Sequence, residues 1–303
     1  HQPGRLVVTG PAHSMLPAGG APGTPGRWWR KRRAEMLLAL AALPAMAFLF
    51  VFYLLPMGML LLQSVEGGSL AAYEKALTDS LYVGVLIDTM LIAAYVSVAC
   101  LLLGYPVAYF LTSAPAPWPT IGIIFVLLPF WTSILVRTYG WMVLLGRNGI
   151  INRTLLEIGL ISAPLPLLNN TAGVLVGMVH VLLPYMVFPI YAVMRRVDLG
   201  LIAAAEGLGA PGWQIFRRVY FPLTLPGVLA GVTLVYILSI GFFITPALLG
   251  GGKVIMIAVL IETQVRQFLN WGFAGALSAV LLAATLLVYL ALRRLFRSDL
   301  QWS

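Results

Sequence analysis

The stretch AAAEGLGAPGWQIFRRVYFPLTLPG, Ala203–Gly227, differs in kind from the apolar chain around it. Its first part is helix-forming and ends at glycines. Ala210-Pro211-Gly212 makes a turn, since proline cannot continue a regular helix. Ile215, Phe216 and Val219 then fall at helical spacing beside Arg217 and Arg218, and Pro222 and Pro226 lead onward. The pattern predicts a helix-turn-helix over about residues 198–222. An amphipathic helix held on lipid by its arginines fits the periodicity equally well. Gly207, Gly209 and Gly212 favour a compact, rigid knob shaped for a partner's groove, because lipid anchoring does not require all three.

The rest of the chain gives that knob its setting. Of 303 residues, 60% are hydrophobic and only 10% charged, against about 25% charged in a soluble domain. Most of the surface therefore meets lipid, which makes this an all-α integral membrane protein. The net charge of +9 does not point to nucleic acid, because the basic residues sit at the ends of apolar runs and no aromatic-plus-basic module accompanies them. The single cysteine, Cys100, excludes an intrachain disulfide framework and a multi-cysteine metal site. Residues 1–33 have the composition of a disordered basic tail. Residues 34–298 form the transmembrane domain, and residues 299–303 a short C-terminal tail.

A crossing needs roughly 20 apolar residues. Six runs qualify, at about 36–62, 82–112, 119–145, 170–194, 222–248 and 272–296. RWWRKRR precedes the first. Arg195, Arg196, Arg217 and Arg218 lie between the fourth and fifth, and Arg293, Arg294 and Arg297 close the sixth. With six crossings these clusters share one side, and the positive-inside rule makes that side cytoplasmic. Both termini and the knob are then cytoplasmic, in a multi-pass membrane protein.

Ionisable residues within spans are functional candidates. Arg137 lies in FWTSILVRTYGW, in the outer half of the third run, beside Phe130, Trp131, Thr132, Tyr139 and Trp141. Two roles fit it: a substrate path or outer gate in which it fixes a partner carboxylate, or an anchor that snorkels to the outer interface. Asp88 either lies beside outer water, pairs with Arg137, or attracts a cationic substrate. Tyr185, next to Pro184, marks a bend in the fourth run, which faces the interior because proline frees a backbone carbonyl that lipid cannot satisfy. His180 is expected as a hydrogen-bonded packing residue. Glu262 and Arg266 are spaced for a helix-surface pair. No metal cluster and no catalytic constellation occurs: Asp88 has no second membrane aspartate, and His180 has no nucleophile placed with it. A secondary transporter is a weaker reading, because no internal repeat stands out and few ionisable groups lie in the spans.

The knob also resembles the cytoplasmic loop signature of permease subunits of bacterial binding-protein-dependent ABC importers. Ala204 and Ala205 match its alanines, Gly209 its glycine, Val219 its isoleucine position and Phe221-Pro222 its Leu-Pro. The signature's first glutamate is Ala203 here, and Glu206, three residues on, is the candidate to supply the carboxylate. GYPVAYFL (104–111), LPFWTSILVRTYGW (128–141) and TPALLGGGKVIMIAVLI (245–261) are similar to the polyamine branch, its first permease subunit in particular.

The resemblance implies a type I importer permease fold with six transmembrane helices. It implies a homologous second permease, a dimer of ATP-binding cassette ATPases, a binding protein outside and surrounding lipid. No cofactor is expected in this chain. No Gly-x-x-x-x-Gly-Lys-Ser/Thr run occurs in it, so ATP and Mg belong to the partner ATPase and the chain is not an enzyme. The implied coupling residues are Ala203, Ala204, Ala205, Glu206, Gly207, Gly209, Ala210, Trp213, Phe216, Arg217 and Pro222. Spermidine or putrescine is the expected cargo; opines, other amino-acid derivatives, aminophosphonates and iron are the alternatives.

Overall fold

The computed structural model describes Met36, residues 40–65 and residues 69–297. The tails expected at 1–33 and 299–303 lie outside the described residues. Among those residues there is no strand; the chain is helical throughout. The helices are α1 (Leu40–Gln63), α2 (Ala71–Thr78), α3 (Ser80–Ser113), α4 (Trp118–Trp131), α5 (Ile134–Leu145), α6 (Ile150–Glu157), α7 (Thr171–Met194), α8 (Leu199–Gly207), α9 (Gly212–Ile240), α10 (Ile244–Leu249), α11 (Ile257–Arg266) and α12 (Trp271–Arg297). The described residues up to Gly58 and those from Met59 on form two compact units, and the hydrophobic core lies in the second.

Among the described residues, five helices are long and apolar enough to cross a membrane: α1, α3, α7, α9 and α12. The third apolar run, expected as one crossing over 119–145, is broken. Its two arms, Trp118–Trp131 and Ile134–Glu157, meet at 100°. Counted as one crossing, the pair brings the total to six. The cause of the break is local. Pro129 lies in the last turn of α4, Thr132 and Ser133 leave helical geometry, and Ser133 caps α5 by accepting from Leu135 N–H at 3.3 Å. Short hydroxyl residues compete for backbone hydrogen bonds, and so favour helix ends over helix interiors. The fifth crossing also differs. It starts at Gly212 rather than residue 222 and ends at Ile240; residues 244–249 form the separate α10.

The core is a seam of α3, α7 and α9. Ile92, Val96 and Cys100 of α3 meet Met178, Leu182 and Met186 of α7, with Val228 and Val235 of α9. Cys100 is buried among them, as a small packing residue. Of the crossing helices, α7 has the largest buried share, 56%, the interior position its prolines predict. Hydropathy is nearly uniform in lipid, so close backbone approach drives helix contact there, and small residues permit it. Gly227 and Gly231 on α9, four apart, provide it. A Cβ on Gly227 would lie 2.9 Å from Pro189 O and 3.0 Å from Ile190 Cα; one on Gly231 would lie 2.8 Å from Met186 Sδ. A second cluster joins Tyr82, Val85, Ile257, Phe273 and Leu277. Thr89 Oγ1 holds α3 to α11 by accepting from Ile257 N–H at 2.9 Å.

Candidate functional site

The knob starts where Asp198 caps α8, its carboxylate accepting from Gly200 N–H at 2.8 Å. The helix closes through Leu208 N–H to Ala204 O and Ala210 N–H to Ala205 O, both at 3.1 Å. Between them Gly209 takes φ +79°, a conformation that disfavours any Cβ. This is the one glycine of the three that the backbone requires. Gly207 and Gly212 have no positive φ, and a methyl added at either would meet nothing within 4 Å, so they leave open surface. Pro211 then caps α9.

The second arm is not a separate surface helix. It runs unbroken into the crossing helix through a wider turn at Phe216–Tyr220, in which Phe221 N–H bonds to Phe216 O. Turns of that kind recur at functional sites. Ile215 and Tyr220 face inward and are buried. Phe216 stacks between Trp213 (5.9 Å) and Tyr220 (6.2 Å) and meets Tyr105 edge-on at 6.2 Å. Tyr109 packs edge-on against Tyr220 at 5.6 Å, and the Tyr105 hydroxyl reaches Thr224 Oγ1 at 3.0 Å. The base of α9 is thus tied to the end of α3.

The first arm, α8, stands off from this base. Between them is a hollow of about 620 Å³ lined by Tyr109, Thr112, Ile202, Glu206, Ile215 and Tyr220 among others. Ala203, Ala204 and Glu206 are exposed, Ala205 and Ala210 half-buried, and Arg217 and Pro222 exposed. Leu199 and Leu201 are exposed, Leu208 is 89% exposed and Trp213 69%. Contiguous exposed apolar residues mark interaction surfaces. Hydropathy alone conceals these three leucines, since an apolar residue in an apolar chain carries no signal.

The other predicted residues divide. Phe130 meets Tyr185 at 5.2 Å and Phe188 at 6.3 Å. Trp141 Nε1–H donates to His180 Nδ1 at 2.9 Å, the hydrogen bond expected of that histidine. Arg137 is half-buried within electrostatic range of Tyr185 and His180, and its Nε is buried without a hydrogen-bond partner. Trp131, Thr132 and Tyr139 are exposed. Asp88 is not brought to Arg137. It is exposed on α3 beside a hollow of about 220 Å³ that Tyr95, Thr171 and Lys253 also line. The one ion pair among the described residues is Glu262–Arg266, at 3.3 Å. Asp88 carries its charge toward an open rim, so a helix face that serves α3 packing on one side leaves the carboxylate on the other.

Residues 15–300 match the family model for the binding-protein-dependent transport system inner membrane component. The chain belongs to that family. As such a component it is a multi-pass inner-membrane protein. It is 36% identical to the spermidine/putrescine transport system permease protein PotB of Haemophilus influenzae over 228 residues, covering 74% of this chain and 80% of that protein. The PotB of Escherichia coli K12 is equally similar, with 83% of that protein covered. Among solved structures, a bacterial alginate ABC transporter in complex with an alginate pentasaccharide-bound periplasmic protein superposes with a TM-score of 0.72 at 17% identity, covering 90% of this chain and 98% of that one. At that identity the likeness is one of fold: this family member has an ABC importer permease architecture.

Proposed function

We propose that the chain forms half of the translocation path of an ATP-driven polyamine importer. Spermidine or putrescine reaches it from an extracytoplasmic binding protein, and a separate ATPase drives it through α8. The similarity to the two PotB proteins, extending over about three quarters of this chain, is the observation that carries this reading. Exposed Leu199 and Leu201 on α8, Leu208 just past it and Trp213 beyond the turn support the coupling role, since clustered exposed apolar residues mark interaction surfaces. Both termini and α8 then lie in the cytoplasm, as the basic clusters require.

In this scheme Phe130, Tyr185, Arg137 and Trp141 line or gate the path, with Trp131, Thr132 and Tyr139 on its rim and Asp88 apart from them. Aromatic faces attract ammonium groups, whereas few carboxylates lie in the spans, so the binding protein and the second permease supply most of the selectivity. The test is reconstitution with the companion ATPase, permease and binding protein, followed by labelled spermidine uptake. Uptake should need ATP and the binding protein and be blocked by vanadate. Uptake of spermidine by this chain alone, driven by an ion gradient, would refute the importer reading. A binding protein that holds an opine, an aminophosphonate or iron instead would leave the machine intact and overturn the cargo.

A further inference from the structure

Among the described residues, none supplies Arg137 with an anion. Its Nε is buried and makes no hydrogen bond, and no carboxylate among the described residues pairs with it. It lies in the first turn of α5, just past the break. The 14 residues of α4 span about 21 Å at 1.5 Å per residue, and the hydrocarbon core is about 30 Å thick. A helix of that length, entered at one boundary, ends inside the membrane, so the break and Arg137 lie at membrane depth. There Thr132 and Ser133 are exposed, in non-helical backbone. Backbone of that kind is tolerated against protein or water and not against lipid. An unpaired guanidinium is subject to the same restriction.

We propose that the α4–α5 break seats against the second permease subunit and that Arg137 receives a carboxylate from it. A planar guanidinium is the side chain best suited to hold a carboxylate in low dielectric. The apolar residues around it fit such a contact. Trp131, at the break itself, is 76% exposed, and a ring at the rim of a charged contact excludes water from it. Phe130 and Tyr185, 5.2 Å apart, form the wall on this chain's side. The inference rests on the two-permease path proposed above, and places Arg137 at the seam between its halves.

The test uses the complex co-expressed with its own second permease and placed in lipid nanodiscs. A photoreactive p-benzoylphenylalanine in place of Thr132, in the break, with Arg137 intact, should crosslink to the second permease on illumination. Lipid adducts alone would overturn the proposal. Arg137→Gln should lower recovery of the second permease about tenfold, while Arg137→Lys keeps at least half of it. Wild-type recovery with Arg137→Gln would rule out the ion pair, and normal recovery with lost uptake would assign Arg137 to the substrate instead. If the unmodified chain recovers no second permease at all, the two-permease reading itself fails, a result distinct from the others. The Thr132 crosslink does not depend on any Arg137 variant folding.

Discussion

Replacing Gly227 by alanine adds one methyl to the tightest seam of the fold. The added Cβ would lie 2.9 Å from Pro189 O, 3.0 Å from Ile190 Cα and 3.0 Å from Val193 Cβ. Two of these three atoms are backbone, so no side-chain rotation relieves the contact. Ordinary contact begins near 3.4 Å, which means α7 and α9 must part by about half an ångström. Overpacking of this kind costs typically about 1–3 kcal/mol. Alanine's better helix propensity returns about 0.8–1 kcal/mol. The net expectation is a loss of up to about 2 kcal/mol. Gly231→Ala should cost less, because its nearest neighbour is the flexible Met186 Sδ at 2.8 Å. Gly84→Ala, where a methyl meets nothing within 4 Å, is the control. Thermal melts of the purified chain in one detergent should rank wild type and Gly84→Ala above Gly231→Ala, and that above Gly227→Ala. A Gly227→Ala protein that melts at or above wild type would refute the close-packed seam.

Three other outcomes are expected. Leu208→Asp should reduce co-purified ATPase severalfold with an unchanged melting temperature, since Leu208 is 89% exposed; Glu206→Ala should do the same if its carboxylate replaces the one missing at Ala203. Trp141→Phe removes the hydrogen bond to His180 at 2.9 Å and should cost about 0.6–1.7 kcal/mol, the range for polar contacts inside membranes; a double-mutant cycle with His180→Leu in thermal melts isolates it. Asn152 is fully buried and bridges Gly146 O, Leu165 O and Leu165 N–H. Asn152→Ala orphans those groups at a cost of about 1–3 kcal/mol, and limited proteolysis of residues 159–168 should speed up.

The apolar runs were legible because membrane crossing needs length and little else. The break at Thr132-Ser133 was not, since apolar residues continue on both sides and hydropathy averages across two hydroxyls. Pro129 and the paired hydroxyls are the local signal, and it is a weak one. The start of α9 is hidden for the opposite reason. The spacing of Ile215, Phe216 and Val219 predicts a helix there, yet Arg217, Arg218 and Pro222 set it apart from the crossing by charge and by proline, whereas it is one continuous helix whose inner face is Ile215 and Tyr220. The Gly227–Gly231 spacing is a readable mark of helix contact that counting apolar residues overlooks. Pairing was the least legible property. Asp88 and Arg137 have complementary charge, and nothing in their spacing says that α3 turns the aspartate toward a different hollow.

Continuity of α9 changes how the knob can work. A loop joined to its span through flexible residues would absorb a partner's push within the loop. Here the helix that carries Trp213 at its first turn also carries Gly227 and Gly231 in the α7 seam, so displacement of Trp213 is carried along one rod into the core. The aromatic ties of Phe216, Tyr220, Tyr105 and Tyr109 bring α3 along with it. The hollow beneath α8 has the opposite character: it lets the first arm settle against a partner without forcing the base to repack. A compliant arm for docking and a stiff arm for transmission are the two properties a coupling element needs, and the turn at Gly209 separates them.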